Sequence, residues 1–202
     1  MKYVALYLAA ALGIVFALQS LLPLTDELVL RSADVAARPW MLLTSMFAHG
    51  SLYHLLSNVV ALALFGLVLE GVIGWKRWLA VYFVGGIAAG VAAALFYPAS
   101  LGASGAVFGV IGALAVLRPR TVVFALGVPM PMIVAAGVWA LLDIGGMFNP
   151  GDIANAAHLG GLAAGLLFGL YYKKTFPEER HKRQKATAVS DKELDRWEDE
   201  YL

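Results

Sequence analysis

The chain contains no cysteine, which excludes disulfides, thiolate nucleophiles and cysteine-held metals and leaves no mark of the redox state of its compartment. Charge is scarce as well: 14% of the 202 residues are Asp, Glu, Lys or Arg, against 60% hydrophobic, a balance unusually apolar for a soluble domain. A net charge of +1 removes the electrostatic case for a nucleic-acid partner. The few charges are unevenly placed, with 7 basic and 6 acidic residues in 1–172 but 8 and 8 in 173–202. Residues 1–172 therefore read as one domain in the lipid bilayer, and 173–202 as a charged, water-exposed tail.

What is abundant is apolar runs. A spanning helix needs about 20 apolar residues, fewer where it stops inside protein at membrane depth. Six segments qualify, at about 3–22, 52–70, 77–97, 103–117, 121–142 and 155–172, and predict an all-α membrane protein with six transmembrane helices. The first reads as a span rather than a secretory signal, because its apolar run exceeds a signal's and no small-residue cleavage site precedes Thr25 and Asp26. Basic residues fall at every second boundary, at Lys2, Lys76 with Arg77, Arg118 with Arg120, and Lys173 with Lys174. That pattern places both termini on the cytoplasmic side. The opposite side receives 98–102, 143–153 and a long loop, 23–51, whose Arg38, Pro39 and Trp40 fit the membrane interface. In the tail, Ser190 and Glu193 form a candidate capping box before a short amphipathic helix carrying Leu194, Trp197 and Tyr201. Pro129 and Pro131 are expected to bend the fifth helix. Asp143 and Asp152 read as interface and loop residues.

Polar side chains within a membrane segment are costly, so each asks for a reason. The fourth segment opens on Gly102-Ala103-Ser104-Gly105 and runs only about fifteen residues to Arg118, so its helix begins below the outer surface. Counting up from Arg118 and from Lys173 puts Ser104 at about 21 Å and His158 at about 22 Å, the same depth. Both helices carry glycines at small-residue spacing, Gly105, Gly109 and Gly112 on one and Gly161, Gly165 and Gly169 on the other. Close packing then brings hydroxyl and imidazole together as nucleophile and base. Oxyanion donors are available in the Ser104 N–H at a helix start and in His54 and Asn58, four apart on one face. A metal held by the histidines is disfavoured, because His49 and His54 are five apart and no carboxylate accompanies them. No cofactor is called for. A small transporter is disfavoured too, since neither internal repeats nor coupling charges appear.

The set His49, His54 and Asn58, then Gly102-x-Ser104-Gly105, then Ala157-His158 with Gly161 and Gly165, resembles the rhomboid proteases over all six segments. The resemblance implies a six-helix bundle with a short central fourth helix and a water-filled cavity open to the outside. It implies a Ser104–His158 dyad with no third acidic member, and an oxyanion site of Asn58, His54 and the Ser104 N–H. Gly102, Gly105, Gly161 and His49 act in support. Substrates would be transmembrane proteins cut near the outer end of a helix, and short loops point to a prokaryotic cell membrane. Two departures stand out: Trp40-Met41 replaces a common Trp-Arg, leaving Arg38 as a candidate substitute, and Phe108 replaces a frequent tyrosine, keeping a ring for His158 but no hydroxyl. Glu70 resembles an acid that braces the inner half. The contrasting reading is a catalytically silent rhomboid-like protein that binds membrane clients.

Overall fold

Long apolar runs broken by glycine, proline and a few polar caps produce a bundle of helices, which the computed structural model describes over residues 3–148, 151 and 153–176. The first helix, α1, is Val4–Leu21. A long connection follows, holding α2 (Thr25–Leu28), strand β1 (Leu30–Arg31), α3 (Met41–Thr44) and a 3₁₀ turn at Ser45–Phe47. Helix α4, Leu52–Ile73, is capped by Ser51, whose hydroxyl accepts from the His54 N–H at 3.1 Å. It ends at Gly74, whose positive φ of 80° lets the chain reverse directly into α5, Trp75–Phe96. Strand β2 (Ala99–Ser100), α6 (Ser104–Leu117), β3 (Val122–Ala125), β4 (Val128–Pro131), α7 (Met132–Met147) and α8 (Asn155–Thr175) complete the order.

Three of these helices, α1, α4 and α5, are long and apolar enough to cross a membrane, and α6 and α7 are shorter apolar helices. At 14 residues α6 is about 21 Å long and nearly all of it is buried, so it occupies the centre of the bundle. Glu70 is buried in α4, where its Oε2 accepts the Ala5 N–H at 3.0 Å and ties α1 to α4. At the same end, the Arg77 guanidinium lies 4.4 Å from the centre of the Phe176 ring, at the close of α8.

The start of α6 is held by the long loop. Strands β1 and β2 pair antiparallel, Leu30 with Ser100 and Arg31 with Ala99, and the Gly102 N–H donates to the Ser45 carbonyl at 2.8 Å. The arginine anchored in this loop is Arg31, bonded to the Asp26 carboxylate at 2.7 Å. Arg38 makes no side-chain bond among the described residues and so gives no support to the substitution considered for it.

The fifth segment departs from expectation. Residues 122–131 form a β-hairpin, with Leu126 and Gly127 both at positive φ in a two-residue turn, and the helix begins only at Met132. Pro129 and Pro131 therefore sit on a strand, opposite Phe124 and Val122, and bend no helix. The reason is local: Thr121, Val122, Val123 and Phe124 favour extended backbone, and prolines two apart leave missing N–H groups along one edge. The chain just before the hairpin then supplies acceptors for the first turn of α7, with Met132 N–H on the Thr121 carbonyl at 2.8 Å and Ile133 N–H on the Pro119 carbonyl at 3.1 Å. Asp152 and the tail helix with its Ser190–Glu193 cap lie outside the described residues.

Candidate active site

Helices α6 and α8 meet backbone to backbone. A Cβ on Gly161 would strike the Gly105 carbonyl oxygen, and one on Gly165 the Gly109 carbonyl oxygen, so only hydrogen at these positions permits the approach. That approach carries the first residue of α6 to the first turn of α8: Ser104 Oγ lies 2.8 Å from His158 Nε2. Phe108, one turn beyond Ser104, stacks on the imidazole with centroids 4.3 Å apart and planes within 7°. The ring expected to cover His158 is in place, and its plane fixes the plane of the imidazole.

The other face of the site comes from α4. His54 and Asn58 project from successive turns into a cavity of about 1080 Å³ that Ser104, Phe108 and His158 also line. Asn58 is buried and donates one amide N–H to the His54 carbonyl at 2.8 Å, which leaves its second N–H for another acceptor. Gly102 has φ 121°, and a Cβ there would fall 2.6 Å from His54 Cε1. Only glycine lets the chain lie so close to the His54 ring.

His49 sits behind this arrangement rather than in the cavity. Its backbone N–H donates to the Gln19 side chain at 3.0 Å, and its Nε2 accepts the Ala103 N–H at 3.4 Å, immediately before Ser104. An Nε2 that accepts is unprotonated. Burial, reinforced by the nearby His54, holds the His49 pKa down at about 4.

One residue was misread from the sequence. Asp143, assigned to the interface, is buried in α7, and its Oδ1 lies 3.0 Å from His158 Nδ1. His158, which the resemblance pairs with Ser104 and no third acidic member, thus has a carboxylate at hydrogen-bond distance. The missed signal was a lone carboxylate within an apolar helix, which in a membrane segment is a functional candidate by default.

Comparison with known proteins places the chain in a family. The chain is 30% identical to "Rhomboid protein 1, mitochondrial" of Saccharomyces cerevisiae over 177 residues, covering 80% of this chain and 50% of that protein. It is 34% identical to "Rhomboid protease GluP" of Bacillus subtilis over 130 residues, 62% of this chain and 24% of that one. With "RHOMBOID-like protein 7" of Arabidopsis thaliana the identity is 37% over 136 residues, 64% and 42% respectively. The chain thus spans half or less of the length of these relatives. A family model described as "Rhomboid domain" matches residues 36–175, and with three helices suited to crossing a bilayer, the chain is an integral membrane protein that belongs to the rhomboid family.

Proposed function

We propose that this protein is an intramembrane serine endopeptidase that cleaves transmembrane proteins by an acyl-enzyme route. The observation that carries the reading is the 2.8 Å contact between Ser104 Oγ and His158 Nε2 at the wall of an open cavity. Ser104 attacks the scissile carbonyl while His158 takes its proton, then returns that proton to the leaving amine as the C–N bond breaks. Water entering through the cavity hydrolyses the resulting ester, with His158 again as base. The Ser104 N–H, which as the first of α6 has no intrahelical acceptor, joins Asn58 and His54 in holding the oxyanion. Gly102, Gly105 and Gly161 allow the close approaches, Phe108 orients His158, and His49 steadies the chain before Ser104. No cofactor takes part.

In the bilayer, the six long helices would each span or dip into the membrane, with both termini and the tail from residue 173 cytoplasmic. Lys76, Arg77, Arg118, Arg120, Lys173 and Lys174 support that orientation, since all lie at the end of the bundle away from Ser104. Exposed Trp40 and Leu43 suit a loop at the outer interface. Substrate helices would be cut near their outer ends, where water reaches Ser104. A prokaryotic cell membrane is the proposed setting, though relatives include yeast and plant proteins.

The test is cleavage of a panel of model transmembrane substrates by the purified protein in proteoliposomes, beside Ser104→Ala. The proposal expects cleavage by the wild type alone. A folded wild type that binds such helices and cuts none would instead support a client-binding rhomboid-like protein.

A further inference from the structure

We infer that Asp143 is a positioning residue for His158: it holds the proton on Nδ1, leaves the Nε2 lone pair facing Ser104, and stabilises the imidazolium formed during attack. The inference rests on the peptidase reading for its catalytic consequence, but not for the tautomer it assigns.

The argument begins with cost. Asp143 is buried in an otherwise apolar helix, and a carboxylate in such a place persists when something pairs with it. Among the described residues, its only hydrogen-bond or ionic partner is His158 Nδ1, at 3.0 Å through Oδ1, while Oδ2 has none. An ionised carboxylate can only accept, so Nδ1 must donate. A neutral imidazole has a single N–H, and Nε2 is therefore left as the acceptor. It lies 2.8 Å from the Ser104 hydroxyl, in position to take the proton.

The geometry around the ring is complete on three sides. Phe108 fixes its plane by stacking, Asp143 fixes its rotation within that plane from one edge, and Ser104 occupies the other. Three helices contribute: α7 supplies Asp143, α8 supplies His158 and α6 supplies Ser104 and Phe108. Without Asp143 the ring could present an Nε2–H to Ser104, whose Oγ would then accept that hydrogen bond, leaving no nitrogen lone pair to take the hydroxyl proton. An asparagine is worse than a small residue, since its amide can donate to Nδ1 and enforce that wrong form.

The experiment combines nitrogen-15 NMR of histidine-labelled full-length protein in detergent with steady-state cleavage of a model transmembrane substrate. His158 is assigned by its loss in His158→Gln. The expected wild-type spectrum has His158 protonated on Nδ1 and bare on Nε2, and Asp143→Asn moves the proton to Nε2. In the same variant kcat falls by about 10²-fold or more while KM stays within about threefold. Asp143→Glu, which can still accept, recovers part of the rate. An Nε2–H tautomer in the wild type overturns the inference without recourse to any variant, as does an Asp143→Asn protein that cleaves within threefold of wild type. A wild type with the Nδ1–H tautomer, lost in Asp143→Asn, that cuts nothing leaves the role of Asp143 standing and removes the peptidase reading instead.

Discussion

Replacing Gly161 by alanine should separate the two helices that carry the candidate nucleophile and base. The added Cβ would be driven against the Gly105 carbonyl oxygen, a backbone atom that cannot turn aside as a flexible side chain could. Bringing that pair back even to the shortest separation a Cβ tolerates requires α8 to move off α6 by about 1 Å, and over-packing of this kind costs roughly 1–3 kcal/mol. The same 1 Å would lengthen the Ser104–His158 contact from 2.8 Å to about 3.8 Å, beyond hydrogen-bond range. A misplacement of that size at a reacting pair costs on the order of 10²-fold in rate. The assay is thermal unfolding in detergent together with kcat on a model transmembrane substrate, using Gly137→Ala as control, because a Cβ on Gly137 meets nothing within 4 Å. Gly161→Ala should lose both stability and rate, while Gly137→Ala keeps its rate and is no less stable. A Gly161→Ala protein as stable and as active as the wild type would refute the packing argument.

Phe108→Leu removes a stack worth roughly 0.5–1.5 kcal/mol and should lower kcat by up to about tenfold at unchanged KM; an unchanged kcat would deny the ring any part in orienting His158. Glu70→Ala strands the buried Ala5 N–H and should cost about 1–3 kcal/mol in thermal stability with little change in rate at permissive temperature; a wild-type unfolding midpoint would speak against the brace. His49 has a folded pKa of about 4 against an ordinary 6.5, so across that window the unfolded chain binds more protons than the folded one. Its neutral form then favours folding fully above pH 6.5, and stability should fall as pH drops towards 4, by at most about 3 kcal/mol. Thermal midpoints from about pH 7.5 to about pH 4.5 should decline less steeply in His49→Gln; parallel curves would contradict the assignment.

Helix periodicity and length were legible wherever a long apolar run ended in glycine, a capping serine or a basic pair. Leu52–Ile73, Trp75–Phe96 and Ser104–Leu117 lie within a few residues of where composition put them. The shared depth of Ser104 and His158 could be counted from the nearest basic boundaries, because a helix has a fixed rise. The fifth segment failed because apolar composition does not distinguish a helix from an apolar hairpin, here one with Val122, Phe124, Leu126 and Val128 exposed, and the signal that does was the β-branched run before two prolines. That error also hid Asp143. A span drawn over 121–142 ends one residue before Asp143 and leaves it at the interface, whereas the hairpin delays the helix to Met132–Met147 and puts the carboxylate a turn inside. The contact between α7 and α8 that follows depends on tertiary packing, which no local pattern encodes.

The most direct test of the central claim is to treat the detergent-solubilised protein with a fluorophosphonate serine probe and map the adduct by mass spectrometry. The account predicts one modified residue, Ser104, with modification slowed by at least about 10²-fold in His158→Ala and absent in Ser104→Ala. An adduct elsewhere, a folded wild type that takes up no probe, or equal labelling with and without His158 would contradict it.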